Sequence, residues 1–298
     1  MAQNEIDAFL AIIKAGSISK AAEDLYTTQS ALSRRLKVLE DGLGYPLIAR
    51  QRGIRNIELT AEGSRFIELA ERWITLRNEM QDLCVKKPHS TFRISSIDSV
   101  GTYLFQPVYQ SFIQNNPQVL LDIRDLDENQ AYPQVETGLI DLAFIIDPRF
   151  SEKVITLPAF SESMRLICSQ GYSLPSCVHP KDLIPEHEIC VTWGAEYEKW
   201  HRVWFPQTSR PYITIEKMSH LEYFICNAGS WAIVPSSVAT ALSKKNHVLV
   251  FELMEPPPKR IISYLSIAGK KKELLNGFFN CLRENIQNIA SFGVEVLF

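Results

Sequence analysis

The sequence predicts an α/β protein with a small, mainly helical N-terminal domain, a long linker helix and a larger α/β region of two lobes. Apolar residues recur at helical spacing up to residue 83, whereas short apolar strands alternate with helical stretches after residue 90. A chain of 298 residues is long enough for two or three domains. We place the boundaries at 1–60, 61–87 and 88–298.

Composition narrows the class of protein. Hydrophobic residues make up 46% and charged residues 22%, which is typical of a folded globular chain. The N-terminus lacks the basic region and the following apolar core of a signal peptide. No apolar run reaches the roughly 18 residues of a membrane span. We therefore expect a cytoplasmic protein without membrane contact. The six cysteines show no C-x-x-C spacing, so no metal or cofactor is expected.

Charge is distributed unevenly along the chain. The formal net charge is -3, yet residues 28–55 hold six basic and two acidic residues, a local charge of +4. A basic segment attached to a larger, slightly acidic body is typical of a small DNA-binding module.

The first two predicted helices are short. The apolar face of the first is formed by Ile6, Phe9, Leu10 and Ile13. Gly16 ends that helix, and Ser19 is positioned to cap the second.

The third predicted helix, over 29–40, has two distinct faces. Its apolar stripe is formed by Leu32, Leu36, Leu39 and Leu43. The opposite, polar face is formed by Gln29, Ser30, Ser33, Arg34 and Lys37. These side chains carry the donors and acceptors that reach base edges and phosphates in a DNA major groove. A merely solvated polar face is the alternative interpretation.

The chain breaks at Gly44-Tyr45-Pro46, and a small hairpin with a basic tip is predicted to follow. Three arginines of this tip, Arg50, Arg52 and Arg55, suit contact with phosphates or insertion into a minor groove.

Taken in order, the residues of this region resemble the signature of LysR-type transcriptional regulators. The matching residues are Phe9, Gly16-Ser17, Ala21-Ala22, Leu25, Gln29-Ser30-Ala31-Leu32-Ser33, Leu39-Glu40, Leu43-Gly44, Pro46-Leu47, Arg50, Leu59-Thr60 and Gly63. A dense, ungapped match of this length is far more specific than a short motif. Ile48 departs from the phenylalanine that is usual at its position. The resemblance implies a winged helix-turn-helix that binds double-stranded DNA, with the basic hairpin as its wing.

A long helix capped by Thr60 is predicted next. Its apolar residues are spaced 3, 4, 3, 4 and 3 apart, namely Phe66, Leu69, Trp73, Leu76, Met80 and Leu83. This a/d seam favours a two-stranded coiled coil, and hence a homodimer through residues 61–84. Docking of the helix on the chain's own core is the alternative. The family resemblance further suggests a homotetramer.

Beyond a polar hinge near residue 88, strands and helices alternate. Strands are predicted at 92–97, 119–123 and 142–146, with helices at 99–115 and 128–137, which favours a parallel α/β sheet. A second set comprises strands at 164–168, 188–191 and 212–215, a helix at 218–227 and an apolar turn at 231–235.

This region resembles, more loosely, the effector domain of LysR-type regulators. That domain has the fold of type 2 periplasmic binding proteins, with a ligand cleft between two lobes. The resemblance implies a lobe I of about 91–160 and 265–298, and a lobe II of about 161–264.

Positions carried over from the family predict the effector site. They are Ser96, Asp98, Ser99, Gln130, Thr192, Trp193, Gly194, Gly229 and Ser230. Asp98 departs from the hydroxyl residue expected there, and its alternative role is to cap the following helix. If Asp98 instead faces the ligand, an anionic effector is disfavoured.

The predicted function is therefore sequence-specific DNA binding and transcriptional regulation, controlled by a small-molecule effector of unknown identity. An enzyme is disfavoured, since no nucleophile, phosphate-binding or metalloprotease motif is present. A periplasmic binding protein is disfavoured by the missing signal peptide. A redox-sensing regulator is the remaining alternative, with Cys168 and Cys177 as the only close cysteine pair.

Overall fold

The computed structural model describes residues 3–49, 57–82, 90–170, 174–205, 210–227, 229–245, 248–287 and 293–298. The chain divides into two compact units, Met1–Pro88 and His89–Phe298. Among the described helices, none combines the length and the apolar character needed to cross a membrane.

The first unit contains four helices and a two-stranded hairpin among its described residues. They are α1 (Gln3–Ala15), α2 (Ile18–Asp24), α3 (Gln29–Leu43), β1 (Ile48–Ala49), β2 (Glu58–Leu59) and α4 (Ala61–Asp82). Ser17, and not the predicted Ser19, caps α2, because its extended backbone lets its hydroxyl accept the Lys20 amide at 3.1 Å. Thr28 caps α3 in the same way.

The leucine stripe of α3 forms the core of this unit. Leu32, Leu36 and Leu39 are buried against α1, where Phe9 is fully buried. Full burial of each such side chain stabilises the fold by roughly 1.5–3 kcal/mol. The carboxylate of Glu40, which is also buried, accepts the backbone amides of Leu47 at 2.8 Å and Ile48 at 3.2 Å. The α3 helix is therefore tied directly to the start of the hairpin.

The predicted hairpin is present as an antiparallel pair, with Ile48 opposite Leu59. Its basic tip, with Arg50, Arg52 and Arg55, lies outside the described residues. Thr60 caps α4 as predicted, because its hydroxyl accepts the Gly63 amide at 2.8 Å. Gly63 itself lies against the carbonyl of Leu47, where a larger side chain would collide with backbone.

The predicted seam of α4 is divided between two environments. Phe66 is buried in the core of its own unit and meets the Phe9 ring edge-on at 5.4 Å. Leu69, Leu76 and Met80, in contrast, are 58%, 55% and 53% exposed. The assignment of Phe66 to an intermolecular seam is therefore wrong, because the helix-turn-helix core already covers it. Leu83 lies outside the described residues.

The second unit has a first lobe built on a six-stranded sheet. Its strands are β3 (Ser90–Ser96), β4 (Val119–Asp125), β5 (Leu142–Ile145), β6 (Ile155–Glu162), β13 (Arg260–Ser266) and β14 (Val294–Val296), in the order β14-β6-β13-β5-β3-β4. Its helices are α5 (Asp98–Tyr103), α6 (Gln106–Asn115), α7 (Glu128–Thr137) and α11 (Lys272–Gln287).

This sheet is mixed, which corrects the expectation of a parallel sheet. Only β3, β4 and β5 are parallel, whereas β13 pairs antiparallel with both β5 and β6. The chain leaves the lobe through β6 and returns through β13, so these strands run in opposite directions. Residues 260–264, which the resemblance places in lobe II, therefore lie in the sheet of lobe I.

Side chains of β5 alternate between the two faces of the sheet. Leu142 and Phe144 face a cluster of aromatic residues from α6 and α11, whereas Ala143 and Ile145 face α7. Lobe I is therefore a sheet covered by helices on both sides.

The second lobe contains the intervening elements. They are β7 (Met164–Cys168), β8 (Cys177–Val178), β9 (Ile189–Val191), α8 (Ala195–Trp204), β10 (Ile213–Ile215), α9 (Leu221–Phe224), β11 (Trp231–Pro235), α10 (Ser236–Lys245) and β12 (Leu249–Leu253). Its sheet has the order β11-β7-β12-β8, and β9 and β10 form a separate parallel pair.

Two predicted elements of lobe II differ in the structure. Residues 231–235 form a buried strand and not a turn, because all five pair with β7. The helix expected over 218–227 is reduced to a 3₁₀ turn, Met218–His220, followed by the single turn of α9.

Candidate functional site

The first candidate site is the outward face of α3. All five residues predicted there are exposed, namely Gln29, Ser30, Ser33, Arg34 and Lys37. On the opposite face, Leu32, Leu36 and Leu39 are buried and Leu43 is half-buried. Ser30 lies at the start of the helix, with its hydroxyl 3.1 Å from that of Thr28. The structure therefore gathers these donors and cations on one accessible helix surface, which can approach an anionic polymer.

The second candidate site is a cavity of about 270 Å³ between the two lobes of the second unit. Lobe I contributes residues that follow β5 and residues on and just before β13, and lobe II contributes the start of β7 and of α8. The lining is Ile146, Asp147, Pro148, Met164, Trp193, Gly194, Ala195, Glu196, Tyr197, Pro258, Lys259, Arg260, Ile261 and Ser263. Most of this surface is apolar, as is usual for sites that bind small organic molecules.

A buried ion pair borders the cavity where the chain crosses between the lobes. Arg260 opens β13 and lies 2.5 Å from the carboxylate of Glu162, which ends β6, and their side chains are 3% and 0% exposed. The Arg260 guanidinium also donates to Ser99 at 2.9 Å and lies over the Trp193 ring at 5.2 Å. Ser237 donates to the same Glu162 carboxylate. These hydrogen bonds offset much of the cost of burying the two charges, although Nε of Arg260 is buried without a partner.

Three of the predicted effector residues lie at or near this cavity. Trp193 and Gly194 line it, and Ser99 contacts Arg260 from the lobe I side. Gly194 has a left-handed backbone, with φ of +93°, and a side chain at its position would press on Ile146 across the gap. Ser96 is buried at the end of β3, close to Gly101, and does not line the cavity.

Asp98 has a different role from the one expected. Ile97, and not Asp98, occupies the cap position of α5. The Asp98 carboxylate instead accepts the backbone amides of Met218 at 2.7 Å and Ser219 at 3.4 Å. Since both of these residues belong to lobe II, Asp98 joins the lobes.

The remaining predicted effector residues do not line the cavity. Gln130 is exposed at the start of α7, and Thr192 is exposed beside Trp193. Gly229 and Ser230 lie within lobe II, where their backbone groups bond to Ser169 at 3.0 Å.

Sequence reasoning missed Arg260, Glu162 and Asp147 as neighbours of the cavity. An arginine at the start of the apolar run 261–266 is the only local signal for any of them. Its partner Glu162 is 98 positions away, so no local pattern links the two.

The cysteine pair of the redox alternative is separated in the structure. Cys168 lies on β7 and Cys177 on β8, with β12 between them. Two strand spacings amount to about 10 Å, beyond the roughly 7 Å that a disulfide allows between Cα atoms. Burial also raises the pKa of the Cys168 thiol to about 12, which keeps it protonated and unreactive.

Comparisons with known proteins cover both units. Residues 3–64 match the family model "Bacterial regulatory helix-turn-helix protein, lysR family", and residues 86–287 match "LysR substrate binding domain". The chain is 26% identical over 235 residues to the HTH-type transcriptional regulator HdfR of Yersinia pestis (strain Pestoides F), covering 76% of this chain and 78% of the relative.

Two crystal structures of CbnR, a LysR family transcriptional regulator, share the fold at 18% identity. CbnR alone has a TM-score of 0.73, with 96% of this chain and 99% of that chain covered. CbnR in complex with its target DNA has a TM-score of 0.72, with 96% and 100% covered.

Proposed function

Because the chain belongs to the LysR family of bacterial transcriptional regulators, we propose a specific role for each of its two candidate sites. The chain is a DNA-binding transcriptional regulator with an effector-binding domain, and it is not an enzyme. We assign operator reading to the exposed face of α3, and effector binding to the cavity between the lobes.

The single observation that supports the DNA-reading role is the separation of the two faces of α3. Ser30, Ser33 and Arg34 are exposed and lie near the N-terminal end of the helix, which is the end that enters a major groove in helix-turn-helix proteins. Gln29 and Lys37 flank them. CbnR, whose fold is similar, has been solved with its target DNA. The wing arginines Arg50, Arg52 and Arg55 complete the proposal, as contacts to phosphate or the minor groove.

Replacing Arg34 by alanine tests the reading role. We expect Arg34→Ala to weaken operator binding by about 1–3 kcal/mol and to relax preference at one base position. Binding is measured by fluorescence anisotropy across a set of operators with single base changes. Lys244→Ala, an exposed lysine of the second unit, serves as the matched control and should leave binding unchanged. Equal binding by wild type and Arg34→Ala would contradict the assignment.

The cavity favours a small effector with a flat, largely apolar body. Trp193, Met164 and Ile146 supply apolar surface. Arg260, which the buried Glu162 holds in place, borders the cavity with its charge. Because residues of both lobes line the cavity, a ligand there contacts both and changes the free energy of their closed arrangement. If an effector changes the affinity of the protein for its operator by some factor, operator DNA changes the affinity for the effector by the same factor.

A second cavity of the same volume provides a matched control for this assignment. It is also about 270 Å³, and Ala241 lies in its wall, as Ala195 lies in the wall of the first. A library of small aromatic and aliphatic metabolites is first screened for compounds that raise the unfolding temperature of the wild-type chain. We expect Ala195→Trp to abolish this stabilisation and Ala241→Trp to preserve it. The reverse result would place the effector in the second cavity and overturn the proposal.

We also propose that the chain forms a homodimer through residues 61–84, and by family resemblance a homotetramer. The exposed positions Leu69, Leu76 and Met80 remain spaced by seven and four residues, as in a coiled-coil seam. Leu76→Asp with Met80→Asp should yield monomers by sedimentation velocity. Glu68→Lys, at an exposed position about 100° around α4 from this stripe, is the control for a change of charge on the helix. An intact dimer in the double variant would place the interface elsewhere.

A further inference from the structure

Three side chains of lobe II bring three different metal-ligand atoms together. They are the carboxylate of Glu188, the thiol of Cys190 and the imidazole of His201, whose ligand atoms all lie within 4.8 Å of one another. None of the three lines the effector cavity. The cluster therefore stands apart from both sites already described, and it does not depend on the roles proposed for them.

The fold explains why these residues meet. Glu188 immediately precedes β9 in extended backbone and Cys190 lies within the strand, so their side chains, two positions apart, point to the same face. The α8 helix covers that face and places His201 Nε2 at 2.8 Å from Glu188 Oε1. The sequence predicted no metal site because the cysteines lack C-x-x-C spacing. Such spacing cannot reveal a cluster whose residues come from a strand and a helix.

Burial distinguishes this cluster from an ordinary surface group of polar side chains. Glu188 is 2% exposed, and a buried carboxylate is stabilised only by a compensating charge or by good hydrogen bonds. Cys190 and His201 are only half-buried, which leaves a route from solvent to the ligand atoms.

We propose that Glu188, Cys190 and His201 form a binding site for a divalent transition-metal ion of the Zn²⁺ class. Sulfur, imidazole nitrogen and carboxylate oxygen are the three ligand types of protein zinc sites, whereas Mg²⁺ and Ca²⁺ prefer oxygen alone. Metal–ligand distances of about 2.0–2.3 Å require ligand atoms roughly 3–4 Å apart, which small side-chain movements would give. Water would occupy the fourth position.

Coordination changes protonation but involves no electron transfer. The Cys190 thiol releases its proton to solvent and binds as a thiolate. His201 binds through Nε2, so its remaining proton lies on Nδ1. The Glu188 carboxylate exchanges its contact with His201 for a bond to the ion.

The position of the site suggests a consequence for the neighbouring cavity. Residues 192–194 connect β9 to α8 and carry Trp193 and Gly194 into the cavity wall. An ion held by Cys190 on one side and His201 on the other would fix the two elements that flank this connection.

Cobalt binding to the full-length chain tests the proposal. After treatment with a chelator and its removal, we expect Co²⁺ to bind one equivalent per chain, with a thiolate-to-cobalt charge-transfer band that Zn²⁺ abolishes. Cys190→Ser should remove this band, and His201→Gln should weaken Co²⁺ binding by at least about tenfold. The matched controls are Cys226→Ser and His220→Gln, which change an exposed cysteine and an exposed histidine of the same lobe.

Two results would overturn the site. One is a charge-transfer band that persists in Cys190→Ser, and the other is a loss of Co²⁺ affinity that is no larger in His201→Gln than in His220→Gln. Far-ultraviolet circular dichroism establishes that each variant is folded. If Cys190→Ser is not folded, the Zn²⁺ affinity of His201→Gln decides the question alone. It is measured by competition with a chromophoric chelator and compared with that of His220→Gln.

Discussion

The polar face of α3 and the cavity between the lobes are constructed in opposite ways. The five candidate DNA-reading residues lie within positions 29–37 of one helix, on the side away from the core. The cavity draws its lining from positions 146 to 263 on both lobes, and its polar border is a buried ion pair. On α3, the candidate DNA-reading residues can therefore be changed without loss of stability. At the cavity, the same residues are expected to contribute to both ligand binding and stability.

The largest effect should follow from breaking the buried pair. Arg260→Leu leaves the Glu162 charge buried and uncompensated, which we expect to lower the free energy of unfolding of the second unit by about 3–5 kcal/mol. Urea unfolding is followed by tryptophan fluorescence, since four of the five tryptophans lie in lobe II.

The double variant Arg260→Leu, Glu162→Leu is the matched control for this measurement. Removal of both charges should restore most of the lost stability, because apolar replacement of a complete buried pair is often neutral or favourable. A double variant as unstable as the single one would assign the loss to packing and not to charge.

The first unit has its own position where a side chain is not tolerated, away from the reading face. Gly63→Ala places a methyl group against the Leu47 carbonyl and should cost about 1–3 kcal/mol by overpacking. Gly42→Ala is the control, because this glycine of α3 has open space around it and should gain roughly 0.5–1 kcal/mol. Thermal unfolding of both variants measures the difference, and equal effects would contradict the close contact.

An alkaline effect should be confined to the second unit. Burial raises the pKa of Tyr109 from its ordinary 10.0 to about 12. Its stabilising effect is complete below pH 10 and is lost as pH rises toward 12, because the unfolded chain releases the proton first. Tyr109 alone contributes a slope of at most about 1.4 kcal/mol per pH unit, and the buried Cys168 and Tyr197 of the same unit, whose pKa values are also raised, add to it. Tyr109→Phe should therefore make the alkaline limb less steep, whereas Tyr212→Phe, at an exposed tyrosine, should not.

The smallest effect on stability should come from the reading face itself. Arg34→Ala should change the free energy of unfolding by no more than about 0.5 kcal/mol, since the side chain is exposed. Measured beside the loss of operator binding, this tests the separation of recognition from stability directly. A decrease in the free energy of unfolding of more than about 1 kcal/mol would show that Arg34 contributes to stability as well as to recognition.

The sequence by itself determined the elements whose signals are local. The leucine period and polar face of α3, the cap at Thr60, the α7 helix and the early strands of lobe I all follow from residues a few positions apart, and the structure confirms their placement. The helical stretch predicted over 99–115 is instead divided into α5 and α6 at residues 104–105. The family signature then connected these elements to a fold and a function.

Only the tertiary structure decided which distant residues meet. The return of the chain through β13 set Arg260 opposite Glu162, and the packing of α8 on β9 set His201 beside Glu188 and Cys190. It also covered Phe66, whose heptad spacing alone indicated a partner chain. Periodicity fixes which side of an element a residue faces, but strand pairing and helix packing choose what lies opposite, because those choices depend on burial summed over the whole domain.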